Sequence, residues 1–334
     1  RRKQFAYLRL LMKAVKFILS TIIPPIIGFA LIYFSFSQFS AEQIQEIKSQ
    51  FKFADYTYLV ISLFFALVAY YSRAYRWLIQ LEHLGYKSSF QNSFVAICIS
   101  YLINLTIPRS GEISRAGVLN KTDNIPFQIG FGTIVSERII DLLILLFITL
   151  IAFLIEFEII ITFIADSNFS VIKLLFTISG LLIILFAVFL IFRFSNHQII
   201  LSIKEKVLHF KDIVQSVLFI KRKKAFIFHT LIIWGSYLIM FSITFFMFPE
   251  TSNLEPKVIL VAFVAGSFAV TLTNGGIGAY PLIIAKTLLF YGVSETIGTA
   301  LGWIVWSSQI AFILILGCSA FLVFPFLKKQ IIKA

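Results

Sequence analysis

Charge is what this chain has least of. Asp, Glu, Lys and Arg together make up 13% of its 334 residues, and the acids are scarcer than the bases, 16 against 29. A soluble domain carries about 25% charged residues, so a pair of water-soluble domains is excluded. Cysteine is nearly absent, which removes a disulfide-built secreted scaffold. Cys98 and Cys318 lie in apolar stretches and read as small buried hydrophobes. None of His83, His197, His209 and His229 has a partner at metal-ligand spacing. No Ser-His-Asp or Cys-His arrangement, nucleotide-binding loop or low-complexity tract is visible. Neither a metal, a cofactor nor an enzymatic activity is therefore expected.

What is abundant is apolar surface. Hydrophobic residues reach 59%, with 39 phenylalanines, and the mean hydropathy is +0.93. Neither a disordered chain nor a soluble fold can accommodate this, so an all-α polytopic membrane protein is expected. The apolar run after the basic residues 1–16 is too long for a signal-peptide core and lacks a small-residue cleavage site, so no cleavable signal is expected.

Runs long enough to span a bilayer occur near 17–36, 57–78, 132–155, 173–194, 226–248 and 297–325. Two further stretches, 92–107 and 258–270, are shorter, and each runs into a break. The first break reads Asn104-Leu-Thr-Ile-Pro-Arg-Ser-Gly-Glu112 and the second Thr271-Leu-Thr-Asn-Gly-Gly-Ile-Gly-Ala-Tyr-Pro281. Charge asymmetry chooses between full spans and re-entrant hairpins. With both re-entrant and the termini cytoplasmic, 23 of the 29 Lys and Arg fall inside and four outside, whereas nine acids fall outside and five inside. Were 92–107 a full span, the block Lys221–Lys224 would face outward.

This arrangement predicts an inverted repeat, residues 1–165 and 166–334, each half holding three spans and one re-entrant hairpin, at about 92–130 and 258–292. Between the halves, Ile199, Ile203, Val207, Phe210, Val214 and Val217 recur at helical spacing beside Lys204, Lys206 and Lys211. The insert 195–225 reads as an amphipathic helix on the anionic inner leaflet, with a soluble partner as the other reading. The net charge of +13 is accounted for by this topology, and no nucleic acid partner is expected. A homo-oligomer is compatible with the sequence.

Irregular backbone at membrane depth is tolerated where protein buries it or where it lines a wet cavity. The two breaks therefore predict a central polar cavity, the other reading being two kinked, packed helices. Ionisable groups gather around the first: Arg109, Glu112 and Arg115 on the hairpin, Glu137, Arg138 and Asp141 early in the following span, and Arg73 and Arg76 beside Trp77 at the end of the second span. Three arginines against three acids could form a helix-holding ion-pair network. Arg73 and Arg76 add an excess of positive charge suited to a phosphate, which a guanidinium grips bidentately. In the second half, Asn274, Gly275, Gly276, Tyr280 and Lys286 are candidates to line the pathway.

Four motifs occur in order: Arg73-Ala-Tyr-Arg-Trp77, Asn104 through Arg115, Thr133-Ile-Val-Ser-Glu-Arg-Ile-Ile-Asp141 and Asn274-Gly-Gly-Ile-Gly-Ala279. From about residue 55 to 325 the chain resembles the membrane region of lysylphosphatidylglycerol synthases, a flippase-like family that includes stand-alone bacterial and archaeal members. The resemblance implies a lipid-translocating domain in a bacterial cell membrane, handling lipids with a phosphate-containing head group. Full-length synthases add a soluble aminoacyl-transferase domain, for which these residues leave no room, so that activity is not expected. Many relatives carry Glu after the second Gly-rich motif, where this chain has Tyr280-Pro281. The alternative function is a membrane subunit or scaffold for an enzyme acting on lipid-linked substrates.

Overall fold

The structure, a computed structural model, describes residues 23–157 and 219–327. The expected span at 173–194 and nearly all of the amphipathic insert lie outside the described residues, as do the basic segment 1–16 and residues 328–334. Among the described residues all regular structure is helical. The helices are α1 (Ile23–Ser37), α2 (Ala41–Phe53), α3 (Tyr56–His83), α4 (Phe90–Thr106), α5 (Gly111–Asp123) and α6 (Phe127–Ile155). After the undescribed segment come α7 (Lys223–Ile243), α8 (Pro256–Leu272), α9 (Ala279–Phe290) and α10 (Glu295–Val323).

Among the described residues, four stretches are long and apolar enough to cross a membrane: Tyr56–His83, Phe127–Ile155, Lys223–Met247 and Glu295–Phe326. The chain is thus a multi-pass membrane protein by the length and composition of its helices. The described part of the expected first span, α1, is shorter than these. Helices α4 and α8, each of 17 residues, extend only about 26 Å at 1.5 Å per residue, against a hydrocarbon core of about 30 Å. Their partners are shorter still, 13 residues for α5 and 12 for α9. Each short pair is a helical hairpin, Phe90–Asp123 and Pro256–Phe290.

The chain divides into two compact units, residues 1–134 with 220–334, and residues 135–219, the cut falling within α6. In the first unit α3 lies along α7, each hairpin packs on itself, and α10 packs on both α4 and α9. Its core gathers Tyr70, Trp77 and Leu81 of α3, Ile97 of α4, Leu119 of α5 and Ile134 of α6, with Ala320 of α10 against them.

Local chemistry sets the helix starts. Asp55, Ser89 and Ser294 have extended or near-extended backbone, and their side chains accept from the N–H groups of Thr57, Asn92 and Ile297. The first hairpin is tied at both ends. At its tip the Asn104 carboxamide oxygen accepts from Gly111 N at 2.7 Å. At its base buried Asp123 accepts from Asn92 Nδ2 (2.9 Å), Thr122 Oγ1 (2.7 Å) and Ser88 Oγ (3.1 Å). The tip closes this tightly because residue 111 has no side chain: a Cβ there would collide with the Ser100 carbonyl oxygen and lie 2.7 Å from Asn104.

Gly111→Ala is expected to destabilise the folded protein by about 1–3 kcal/mol through this overlap. Gly117→Ala, on the same helix with nothing within 4 Å, should be neutral or stabilising by up to about 1 kcal/mol. Thermal unfolding of the two variants in detergent checks the contrast. Asp123→Ala should cost about 2 kcal/mol or more, since it strips the buried Asn92 amide of its acceptor and removes the bonds from Thr122 and Ser88.

Candidate functional site

Three of the arginines expected near the membrane interior are buried in the first unit. Arg73, Arg76 and Arg115 are 3%, 0% and 2% exposed. Burying a guanidinium costs several kcal/mol unless its surroundings replace water, and the replacements are visible. Arg115 lies over the ring of Trp77, its guanidinium carbon 3.8 Å from the ring centroid. That distance is a close cation–π contact. Trp77 is held in turn by its Nε1, which donates to Thr133 Oγ1 at 2.8 Å, and the Thr133 hydroxyl donates to Gly130 O at 2.8 Å.

Helix α7 supplies the other seats. Arg73 Nη2 donates to Tyr237 Oη at 3.1 Å, and Arg76 Nη1 lies 3.5 Å from Thr230 Oγ1. Arg76 also sits 5.8 Å from the centroid of the Phe226 ring. A second polar contact between the same helices joins Ser72 Oγ and His229 Nδ1 at 3.2 Å, with the His229 ring stacked on Tyr75. Nearer the end of α3, Arg222 Nη1 pairs with Glu82 Oε2 at 3.0 Å on the exposed surface, an ion pair of little energetic weight.

The hairpin tips collect a different set. Arg109 is exposed and has φ 61°, the left-handed region that a residue with a Cβ enters only at a cost. Asn104, a candidate for the pathway, closes the turn through Gly111 with its Oδ1. Glu112 is half-buried in the first turn of α5. In the second tip Gly275, Gly276 and Gly278 all have positive φ. Trp306 Nε1 of α10 donates to Gly275 O at 2.8 Å, and Gly276 N donates to Thr273 Oγ1 at 3.1 Å. Asn274 is buried, and its Nδ2 has no hydrogen-bond partner. Tyr280 is buried against Gly266 of α8 and Gly276. The two tips adjoin: a methyl group on Gly275 would stand 3.9 Å from Leu105 Cδ2.

Lys286 belongs to neither group. It lies toward the far end of α9 from the glycine-rich tip, and its Nζ pairs with Glu295 Oε1 of α10 at 2.6 Å. On α6, in the second unit, Glu137 is buried and Asp141 nearly so, and Arg138 Nη1 lies 4.0 Å from Asp141 Oδ2. An open depression lined by Ala41, Glu42, Gln45, Glu46 and Ser49 of α2 contains none of these residues. Among the described residues no three His, Cys, Asp or Glu side chains come together as a metal site.

The sequence reading missed the α7 residues Phe226, Thr230 and Tyr237. They lie on a stretch without Asp, Glu, Lys or Arg between Lys224 and Glu250, so nothing there marks them as partners for arginines more than 140 positions away. It also passed over Gln80, although the spacing 73, 76, 80 places it on the arginine stripe.

Short paired helices between membrane-length ones, with arginines buried at the heart of the bundle, define a polytopic helical membrane protein built around a charged interior. The chain belongs to the family described as the lysylphosphatidylglycerol synthase TM region, whose pattern it matches over residues 16–317. It is also 32% identical over 96 residues to a UPF0104 membrane protein of Methanocaldococcus jannaschii, an alignment covering 28% of this chain and 29% of the relative's length. No solved structure matches it significantly.

Two variants separate the roles of the Trp77 side chain. Trp77→Phe keeps an aromatic face for Arg115 and should cost about 1 kcal/mol for the lost bond to Thr133. Trp77→Leu removes the face as well and should cost about 3 kcal/mol or more. Thermal unfolding in detergent reads both.

Proposed function

We propose that this chain is a flippase-like transporter, carrying the phosphate-containing head group of a lipid between leaflets while the acyl chains stay in the bilayer. The observation that carries the reading is the buried arginine set, Arg73, Arg76 and Arg115, seated on Trp77, Phe226 and Tyr237. Ionisable groups inside a membrane pair, line water or mark a substrate path, and a planar guanidinium is the side chain that grips a phosphate bidentately. Membership of a family named for lipid modification supports a lipid as cargo.

The architecture supports alternating access. Helices α3, α4, α5 and α6 have 28, 17, 13 and 29 residues, and α7, α8, α9 and α10 have 21, 17, 12 and 29. The same long-short-short-long order twice is what an inverted repeat with two re-entrant hairpins produces. With both termini cytoplasmic the hairpins would enter from opposite faces, and the nearness of Leu105 to Gly275 at their tips supports a gate at that point. Arg109, exposed at the first tip, would meet the phosphate before the buried arginines do.

The test is head-group-labelled lipid translocation in proteoliposomes. The wild-type protein should move an anionic phospholipid. Arg115→Lys keeps the charge but not the planar fork on Trp77, and should slow movement about tenfold or more. Arg109→Gly relieves the left-handed backbone and should also slow movement without lowering the thermal midpoint. Folded wild-type protein that moves no lipid of any head-group class would overturn the reading.

A further inference from the structure

Gln80 is 1% exposed, and neither its Oε1 nor its Nε2 has a hydrogen-bond partner. A buried carboxamide left wholly unsatisfied is costly and rare, and each case calls for a physical reason. The position supplies one. Residues 73, 76, 80 and 83 are spaced three, four and three apart, so they fall on one face of α3, a stripe about 15 Å long. The first two are the buried arginines. The last is His83, whose buried Nδ1 is also without a partner. Toward the Lys- and Arg-rich end of α3, the stripe thus passes from guanidiniums to two neutral side chains with open hydrogen-bonding capacity.

We propose that Gln80, with His83 beyond it, forms a second polar subsite that takes a hydroxyl-bearing part of the lipid head group while Arg76 takes the phosphate. This rests on the lipid-transport reading above and adds selectivity to it. The carboxamide decides the chemistry. It presents an acceptor and two donors, so its partner must donate and accept together. A hydroxyl does both. An ammonium only donates, a phosphate oxygen only accepts, and a trimethylammonium does neither, leaving part of Gln80 unsatisfied in each case. One helical turn, about 5 Å, separates Gln80 from Arg76, the scale of the distance from a phosphate to the hydroxyls of a glycerol or sugar esterified to it.

The experiment titrates the full-length chain in detergent with two anionic lipids of equal charge, phosphatidylglycerol and phosphatidylpropanol, which differ only in the head-group hydroxyls. Binding is read by native mass spectrometry. The wild-type protein should prefer the hydroxylated lipid by about tenfold, the worth of one well-made hydrogen bond to a buried group. Gln80→Leu, similar in size and apolar, should bring the ratio to about one while its thermal midpoint stays level or rises. A wild-type protein without preference, or a Gln80→Leu variant that keeps it, overturns the proposal. Arg76→Leu separates the two readings. If it weakens both lipids while the wild-type protein shows no preference, only the Gln80 subsite falls. If it changes neither, the arginine site falls with it.

Discussion

A guanidinium cannot be taken out of water and left alone. Its hydration is worth far more than any single contact a protein offers, so surrounding three of them dictates much of what this bundle must supply. Aromatic faces meet part of the need: Trp77 under Arg115 and Phe226 beside Arg76 present electron-rich surfaces without adding a compensating charge. Hydroxyls meet another part, from Tyr237 and Thr230. The arginines and these groups come from α3, α5 and α7, so the need to solvate charge binds the three helices together. In a bilayer, where apolar side chains pack on lipid tails as readily as on each other, such polar contacts give the helices their register.

The hairpins answer a second constraint, that backbone polar groups at membrane depth be satisfied from within the chain. Asn104 does this for the first turn by accepting from Gly111, and Trp306 does it for the second by donating to the Gly275 carbonyl. The two solutions differ in origin. One is local, seven residues apart, and the other reaches across from a long helix. The second tip also has a local bond, from Gly276 N to Thr273 Oγ1, but its Gly275 carbonyl is met only by α10.

Much of the fold was legible from hydropathy and from where the breaks fall. The long helices lie where the apolar runs are, and a pair of shorter helices flanks each break, Phe90–Asp123 and Pro256–Phe290. The arginines were legible as well, because charge in an apolar chain stands out. Their seats were not. Phe226, Thr230 and Tyr237 are ordinary residues of an apolar helix, and only folding brings them to α3. Asn104 and Lys286 illustrate the opposite case. Both carry chemistry that suits a substrate, yet one serves its own turn and the other Glu295. A residue's type states what it can bond to, and only its neighbours decide which bond it makes. Gln80 was invisible for a simpler reason: an uncharged amide beside two arginines draws no notice until it proves to be buried without a hydrogen-bond partner.

The two fastenings of the first hairpin, Asn104 at the tip and Asp123 at the base, have a mechanical consequence. A helical pair pinned at one end can splay like scissors. Pinned at both, it transmits a push from base to tip as a strut does, with little lost in bending. Arg109 at one end and the Asp123 cluster at the other are then two points on a single stiff body, and whatever displaces the base must carry the arginine with it.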